Sequence, residues 1–186
     1  MKPLTPTIPH VIILLGIPGA GKTQFASHFA KTFQAPYVST KELRTLGKTT
    51  DNAAAYLTAY MLDEVMKTQR TTVFEGPTYN AIFRQNLTKQ ITRAGYRPLF
   101  VWVQTESQEA RRRALKKGGD HTPESFDAAL KQFDPPTASE KTVVISGKHT
   151  FTTQVKMVLK HLAVARPTGE VKPQPRPVTG RSINIR

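Results

Sequence analysis

Residues Gly16 to Thr23 read GIPGAGKT, which fits the spacing G-x-x-x-x-G-K-[ST]. Each residue type in that spacing has a task in holding a polyphosphate. Gly16, Gly19 and Gly21 let the backbone wrap tightly and turn its N–H groups inward, with Ile17, Pro18 and Ala20 completing the loop. The Lys22 ammonium would reach the β- and γ-phosphates, and the Thr23 hydroxyl would hold Mg²⁺. A second candidate is Glu75, which ends the apolar run TTVFE. A carboxylate there would orient a metal-bound water or accept a proton. Arg111, Arg112 and Arg113 are consecutive, followed by Lys116, Lys117 and the glycines 118 and 119. A basic helix running into a glycine loop suggests a lid that brings an arginine onto a transferring phosphate. A helix turns about 100° per residue, so the three arginines cannot all face one site.

These residues need elements to place them, and the sequence supplies those. Val11 to Leu15 is an unbroken aliphatic run, as expected of a strand buried on both faces. After Thr23, Phe25, Ala26, Phe29, Ala30 and Phe33 recur at helical spacing and read as core. Further strands are expected at 35–39, 71–75, 98–103 and 142–145. Helices are expected at 53–66, 81–94, 107–117, from 122 onward, and at 150–165. On the 53–66 helix the apolar side is expected to hold Tyr56, Leu57, Tyr60, Met61 and Val65. Strands alternating with helices give a parallel sheet. The fold class is therefore α/β: a P-loop NTPase three-layer sandwich with a five-stranded parallel sheet and a helical lid. Its ligand belongs at the carboxyl ends of the strands.

Composition narrows the partners. The chain has 186 residues, enough for one domain with a sizeable core, expected at 10–165. The proline-containing residues 1–9 read as a loose arm, and the Pro-rich basic residues 166–186 as a disordered tail. With 27 Lys+Arg against 13 Asp+Glu, the formal net charge is +14, which favours polyanions: nucleotides, and nucleic acid through the lid and tail. There is no cysteine, which excludes a disulfide scaffold and a thiolate metal site. No apolar run approaches a membrane span, so no membrane partner and a cytoplasmic location are expected. The five histidines are scattered without metal-like spacing, and Trp102 lies inside an apolar run as a core residue.

The order of the motifs GIPGAGKTQFA, STKELR, VFEGPTYNAIFR, FVWVQTESQEARRRALKKG and FDPPTASE resembles the polynucleotide kinase-like branch of P-loop kinases, an AAA-type ATP-binding domain, with some likeness to zeta toxins. The resemblance runs from about Val11 to Leu162. It implies ATP and Mg²⁺ as cofactors, and transfer of the γ-phosphate to a hydroxyl of a nucleic acid end, a nucleotide or a small metabolite. It implies Lys22, Glu75 and Arg113 as catalytic residues, with Thr23 and Glu75 at the metal. It assigns Arg44, Thr78 and Arg84 to the acceptor substrate. One position departs from the pattern: Lys41 stands where the resemblance expects a general-base aspartate, and a protonated lysine cannot take a proton. The alternative expectation is an ATP-binding module with slow or no catalysis, whose basic tail recruits a polyanionic partner.

Overall fold

The computed structural model describes residues 6, 8–116 and 121–164. Twelve elements follow one another: β1 (His10–Leu15), α1 (Lys22–Phe33), β2 (Tyr37–Ser39), α2 (Thr40–Gly47), α3 (Asp51–Met66), β3 (Thr72–Glu75), α4 (Ala81–Arg93), β4 (Arg97–Gln104), α5 (Ser107–Ala114), α6 (Pro123–Gln132), β5 (Thr142–Ser146) and α7 (Phe151–Val164). The strands form one sheet in the order β2-β3-β1-β4-β5, and every pairing is parallel. The expected tail falls outside the described residues, as do residues 1–5 and 7 of the expected arm. The glycine loop and Lys117 after the basic helix fall outside them too.

β1 is central, and all six of its residues are buried. Its alternate side chains feed two cores. Ile12 and Leu14 join Phe25, Phe29, Phe33, Val101, Val103 and Val158 under α1 and α7. Val11, Ile13 and Leu15 join Phe74, Phe100, Leu62, Met66, Leu87 and Ile91 under α3 and α4. A strand covered by helices on both faces has no solvated side, which is why its sequence is continuous aliphatic rather than alternating. Trp102, expected in the core, is only partly buried and stacks at a tilt against Phe133, with ring centroids 6.2 Å apart.

The helix starts follow local chemistry. Ser39 caps α2 by accepting from the Glu42 N–H, Thr50 caps α3 from the Ala53 N–H, and Asn80 caps α4 from those of Ile82 and Phe83. Thr122 and Ser125 form a reciprocal capping box on α6, with Pro123 in its first turn. α1 and α5 have no side-chain cap; at α1 the cap residue is Gly21, and no side chain bonds the first N–H groups. Those donors are left for a ligand.

One expectation about α3 is overturned. The side carrying Tyr56, Leu57, Tyr60 and Met61 is exposed, and the buried stripe is Ala54, Thr58, Leu62 and Met66; Val65 packs only partly against the core. The helix has two apolar stripes, so periodicity does not choose between them. Burial does: Ala54 and Thr58 are covered at the helix start, with the Thr58 hydroxyl satisfied by the Ala54 carbonyl at 2.6 Å. Leu62 and Met66 enter the core cluster with Phe74, Leu87 and Ile91, and Tyr96 donates to the Met66 carbonyl at 2.9 Å.

Candidate active site

The loop between β1 and α1 takes the conformation its glycines were expected to permit. Gly16, Gly19 and Gly21 have φ of 139°, 74° and 107°, in the region that side chains disfavour. At Gly16 and Gly19 space forbids a side chain as well. A Cβ on Gly16 would lie 2.6 Å from the Val103 carbonyl oxygen, and one on Gly19 would lie 2.1 Å from that of Ala110. The loop is therefore pressed between β4 and α5. The Thr105 hydroxyl adds a tie to the Ala20 carbonyl at 2.9 Å.

The Lys22 Nζ folds back over this loop and donates to the carbonyls of Gly16 and Ile17 at 2.9 and 3.0 Å. Burial pushes its pKa below the ordinary lysine value; the charge of Glu75 opposes the shift, and that of Lys41 adds to it. Lys41 thus lies within electrostatic reach of the phosphate-binding lysine. A bound polyphosphate would relieve both the desolvation and the crowding of the two cations.

Glu75 is held at the carboxyl end of β3, opposite Ser39 in the β2–β3 register, and is buried. Thr23 donates its hydroxyl to Oε1 at 2.8 Å, and the Tyr37 hydroxyl donates to Oε2 at 2.5 Å. Burial, then the adjacent Glu75 charge, push the Tyr37 phenol pKa well above its ordinary value, so that it remains a donor. The structure therefore brings Lys22, Thr23 and Glu75 together as expected and adds Tyr37. In sequence Tyr37 is one aromatic residue in a short strand. Its role depends on β2 lying beside β3, which local pattern does not reveal.

A hydroxyl and a carboxylate make a hard oxygen pair suited to Mg²⁺, which keeps most of its shell for water and phosphate oxygens. Among the described residues no group of three or more His, Cys, Asp or Glu is placed to hold a metal alone. The pair thus fits an ion that arrives with a nucleotide better than a self-contained metal centre.

Two of the three acceptor residues expected from the resemblance are engaged elsewhere. Arg84 is fully buried. Its Nε and Nη2 donate to Glu140 at 2.6 and 3.0 Å, its Nη1 to the carbonyls of Thr78 and Asp134, and Nη2 also to that of Pro135. A guanidinium has five donors, and all are used here, so none remains for a substrate. Thr78 is also buried, its hydroxyl donating to the Leu14 carbonyl at 2.8 Å. Both residues fasten the loop after β3 rather than face an acceptor. Arg44 is partly exposed on α2 and pairs with the exposed Asp51 at 3.0 Å. An ion pair this solvated is worth little and is easily exchanged for a ligand.

The basic helix α5 is more self-paired than a free lid would be. Arg112 and Arg113 share Glu109, whose carboxyl pKa they hold down at about 2, and Arg111 pairs with Asp127. Arg113 reaches further: its Nη1 donates to the Gly147 carbonyl at 3.0 Å. Gly147 itself abuts the loop, since a Cβ there would lie 2.2 Å from the Ala20 carbonyl oxygen. In this arrangement Arg113 ties α5 to the segment after β5.

Two hollows adjoin the loop. The larger, of about 690 Å³, runs along the ends of β4 and β5 beside Trp102, Glu106 and Lys148 and touches the loop at Ile17. The smaller, of about 160 Å³, is bordered by Gly21, Gln24, His28, Gly147, His149 and Phe151. Because it opens at the start of α1, the smaller one is better placed for a group attached to phosphates seated on the loop.

A family model described as an AAA domain, AAA_33, matches residues 11–136. No curated protein sequence matches the chain. Among solved structures, a provisionally assigned kinase from Chloroflexus aurantiacus J-10-fl superposes with a TM-score of 0.71 at 14% identity, covering 86% of this chain and 98% of that one. A gluconokinase from Sinorhizobium meliloti 1021 gives 0.61 at 17% identity, covering 84% and 93%. The Mycobacterium tuberculosis APS kinase CysC, solved with AMPPNP and APS, gives 0.65 at 16% identity, covering 84% and 98%. At such identities the likeness is one of fold, and that fold is the α/β P-loop kinase fold. No helix among the described residues is long and apolar enough to cross a membrane.

Proposed function

Because the chain belongs to the AAA_33 family of AAA domains, we propose that it is an ATP-dependent phosphotransferase that moves the γ-phosphoryl group of Mg²⁺-bound ATP to a hydroxyl of an acceptor. The observation that carries this reading is the joined geometry of the loop. Three positive-φ glycines, an uncapped helix start, a partly buried Lys22 and the Thr23–Glu75 contact meet at one point. The loop amides and Lys22 would bind the phosphate oxygens, and Thr23 and Glu75 would hold Mg²⁺. The metal supplies neutralisation of charge on the phosphate oxygens. The smaller hollow beside Gln24 and His28 would take the nucleobase.

In the transfer, a P–O bond forms to the acceptor oxygen as the bond from the γ-phosphorus to the β–γ bridging oxygen breaks. The electron pair leaves with ADP, and the acceptor proton passes to an oxygen of the transferred phosphoryl group and from there to solvent. A loose transition state needs little proton abstraction beforehand, so positioning and charge carry most of the rate. Lys41 in place of an aspartate therefore removes less than the loss of a general base would suggest. The motif order supports a hydroxyl of a nucleic acid end, a nucleotide or a small metabolite as acceptor. Arg44 would hold the acceptor's anionic group, and Arg113 would clamp the phosphates from α5, exchanging its bond to the Gly147 carbonyl for them.

Lys41 also favours a second reading, an ATP-binding module in which no acceptor proton is taken up near α2. One experiment separates the two. γ-Labelled ATP is incubated with nucleosides, nucleotides, 5′-hydroxyl oligonucleotides and sugars, alongside a Lys22→Met control. Transfer to an acceptor, lost in the control, supports the phosphotransferase. Protein that binds ATP but moves label to none of these acceptors supports the module.

A further inference from the structure

A parallel sheet normally has both faces covered, yet one corner of this one is left open. Trp102 and Val144 are register partners on β4 and β5. Alternate residues of a strand point to opposite faces. Val101, Val103, Val143 and Ile145 enter the core under α1 and α7. The core under α3 and α4 takes Phe100 from β4 but no described residue of β5. Val144 is therefore left 41% exposed, and Trp102 only partly covered. The larger hollow lies against this corner, and Leu130, Phe133 and Pro135 line it together with the half-exposed Met157 of α7. Arg84 grips the Asp134 carbonyl at 2.9 Å, between Phe133 and Pro135, which holds that side of the groove in place.

The chain itself supplies a segment suited to this surface. α7 ends at Val164, about 10 Å along the helix axis past Met157. Residues 165–172 follow, and extended chain of that length spans about 26 Å. That is enough to turn back and bring residues 173–178 alongside the hollow. Those residues read PQPRPV. Proline at every second position excludes a helix, removes the N–H groups that a strand ladder needs, and favours polyproline II. In that geometry three residues make a turn. Pro175 and Val178 then share one edge, Gln174 and Pro177 the second, and Pro173 and Arg176 the third. Aromatic-lined grooves receive such a helix well, because it loses little conformational freedom on docking. The Trp102 indole N–H can donate to one of its carbonyls. Glu106 lines the same hollow and is paired with the exposed Lys148 at 3.3 Å, a solvated contact that a guanidinium can displace.

From this fit we infer that the open corner is a polyproline II docking surface, and that residues 173–178 of the chain's own C-terminal segment occupy it. Pro175, Pro177 and Val178 pack on Trp102, Phe133 and Val144, and Arg176 is directed to Glu106. Of the phosphate loop only Ile17 lines the hollow, so the docked segment borders that loop without using its amides. The inference is independent of phosphoryl transfer and of the acceptor.

Trp102 is the one tryptophan of the chain, so its fluorescence reads this corner alone. Emission and acrylamide quenching are compared in the full chain and in a full chain carrying Pro173→Ala, Pro175→Ala and Pro177→Ala together. Far-UV circular dichroism confirms that the domain is folded in both. The triple variant is expected to be quenched about twofold more strongly, with emission shifted to the red, because a docked segment shields the indole. A synthetic peptide of residues 166–180, added to the triple variant, is expected to restore the parent's quenching saturably, whereas the same peptide with the three alanines is not. Equal quenching in parent and variant overturns the inference. So does shielding by the alanine peptide, which traces the effect to charge alone. Shielding in the parent that is lost on dilution places the segment of a second copy in the groove, and overturns it too. Shielding of the triple variant by AMPPNP and Mg²⁺ overturns it as well, because the hollow then belongs to the nucleotide.

Discussion

Glu75 receives hydrogen bonds from two hydroxyls on two different elements, Thr23 at the start of α1 and Tyr37 on β2. If Thr23 turns toward a metal, Tyr37 remains to hold the carboxylate in place. A hydrogen bond to a charged group contributes about 1.5–3 kcal/mol. Tyr37→Phe is therefore expected to slow phosphoryl transfer on the order of tenfold or more and to lower the melting temperature by several degrees, with the fold retained. Steady-state kinetics alongside a thermal melt would show it, and an unchanged rate would mean that Tyr37 does not position Glu75. The second prediction concerns Lys41. Its charge adds to the pKa depression of Lys22. Lys41→Asp replaces repulsion by attraction, so the Lys22 pKa should rise and ATP affinity should change. If transfer is absent in the parent and appears in this variant, the missing base was the obstacle. If an active parent gains nothing, the acceptor proton has another route.

At the scale of elements, the glycine loop is shaped by what presses on it. Gly19 has φ 74° and no space for a Cβ against the Ala110 carbonyl, so Gly19→Ala must move either the loop or α5. The expected outcome is a loss of ATP binding of 100-fold or more, on the order of 3 kcal/mol for a strained backbone plus a clash, measured by calorimetry with far-UV circular dichroism to confirm the fold. The other element-scale device is the clasp of Arg84. From α4 it grips Glu140 and the carbonyls of Thr78, Asp134 and Pro135, while the Asp134 side chain accepts from the Ala81 N–H. Arg84→Met leaves a partly buried carboxylate and three carbonyls without their donor, and breaking a pair with one fully buried member costs up to about 3–5 kcal/mol. Urea denaturation should show an unfolding free energy lower by that amount. A drop within about 0.5 kcal/mol would return Arg84 to the substrate role that the resemblance assigned.

For the whole molecule, the clasp makes stability depend on pH. The Arg84 guanidinium, with help from the Thr137 N–H, holds the Glu140 carboxyl below its ordinary range, against the opposing effect of burial. A depressed carboxylate pKa stabilises the fold fully above the unfolded value of about 4.3, and that contribution is lost as pH falls through the folded value. Glu140→Gln should therefore lower stability by roughly 1–3 kcal/mol near pH 7, and its difference from the parent should shrink toward zero below about pH 4. A difference that stays constant across an acid titration would show that the charge of Glu140 is not what the clasp uses. His10 gives a separate loss. Burial lowers its pKa and its Nδ1 has no partner, so stability should begin to fall below the ordinary histidine value of about 6.5 in parent and variant alike. The sequence by itself determined the sheet, the phosphate loop and the pairing of Lys22 with Thr23, because backbone freedom at glycine, aliphatic runs and helix periodicity are local properties. Only the tertiary structure decided which stripe of α3 is buried, that Tyr37 belongs to Glu75, and that Arg84 and Thr78 fasten a loop. Those outcomes depend on which strands are neighbours and which side chains find partners across 38 to 64 residues of chain, and local spacing carries no record of that.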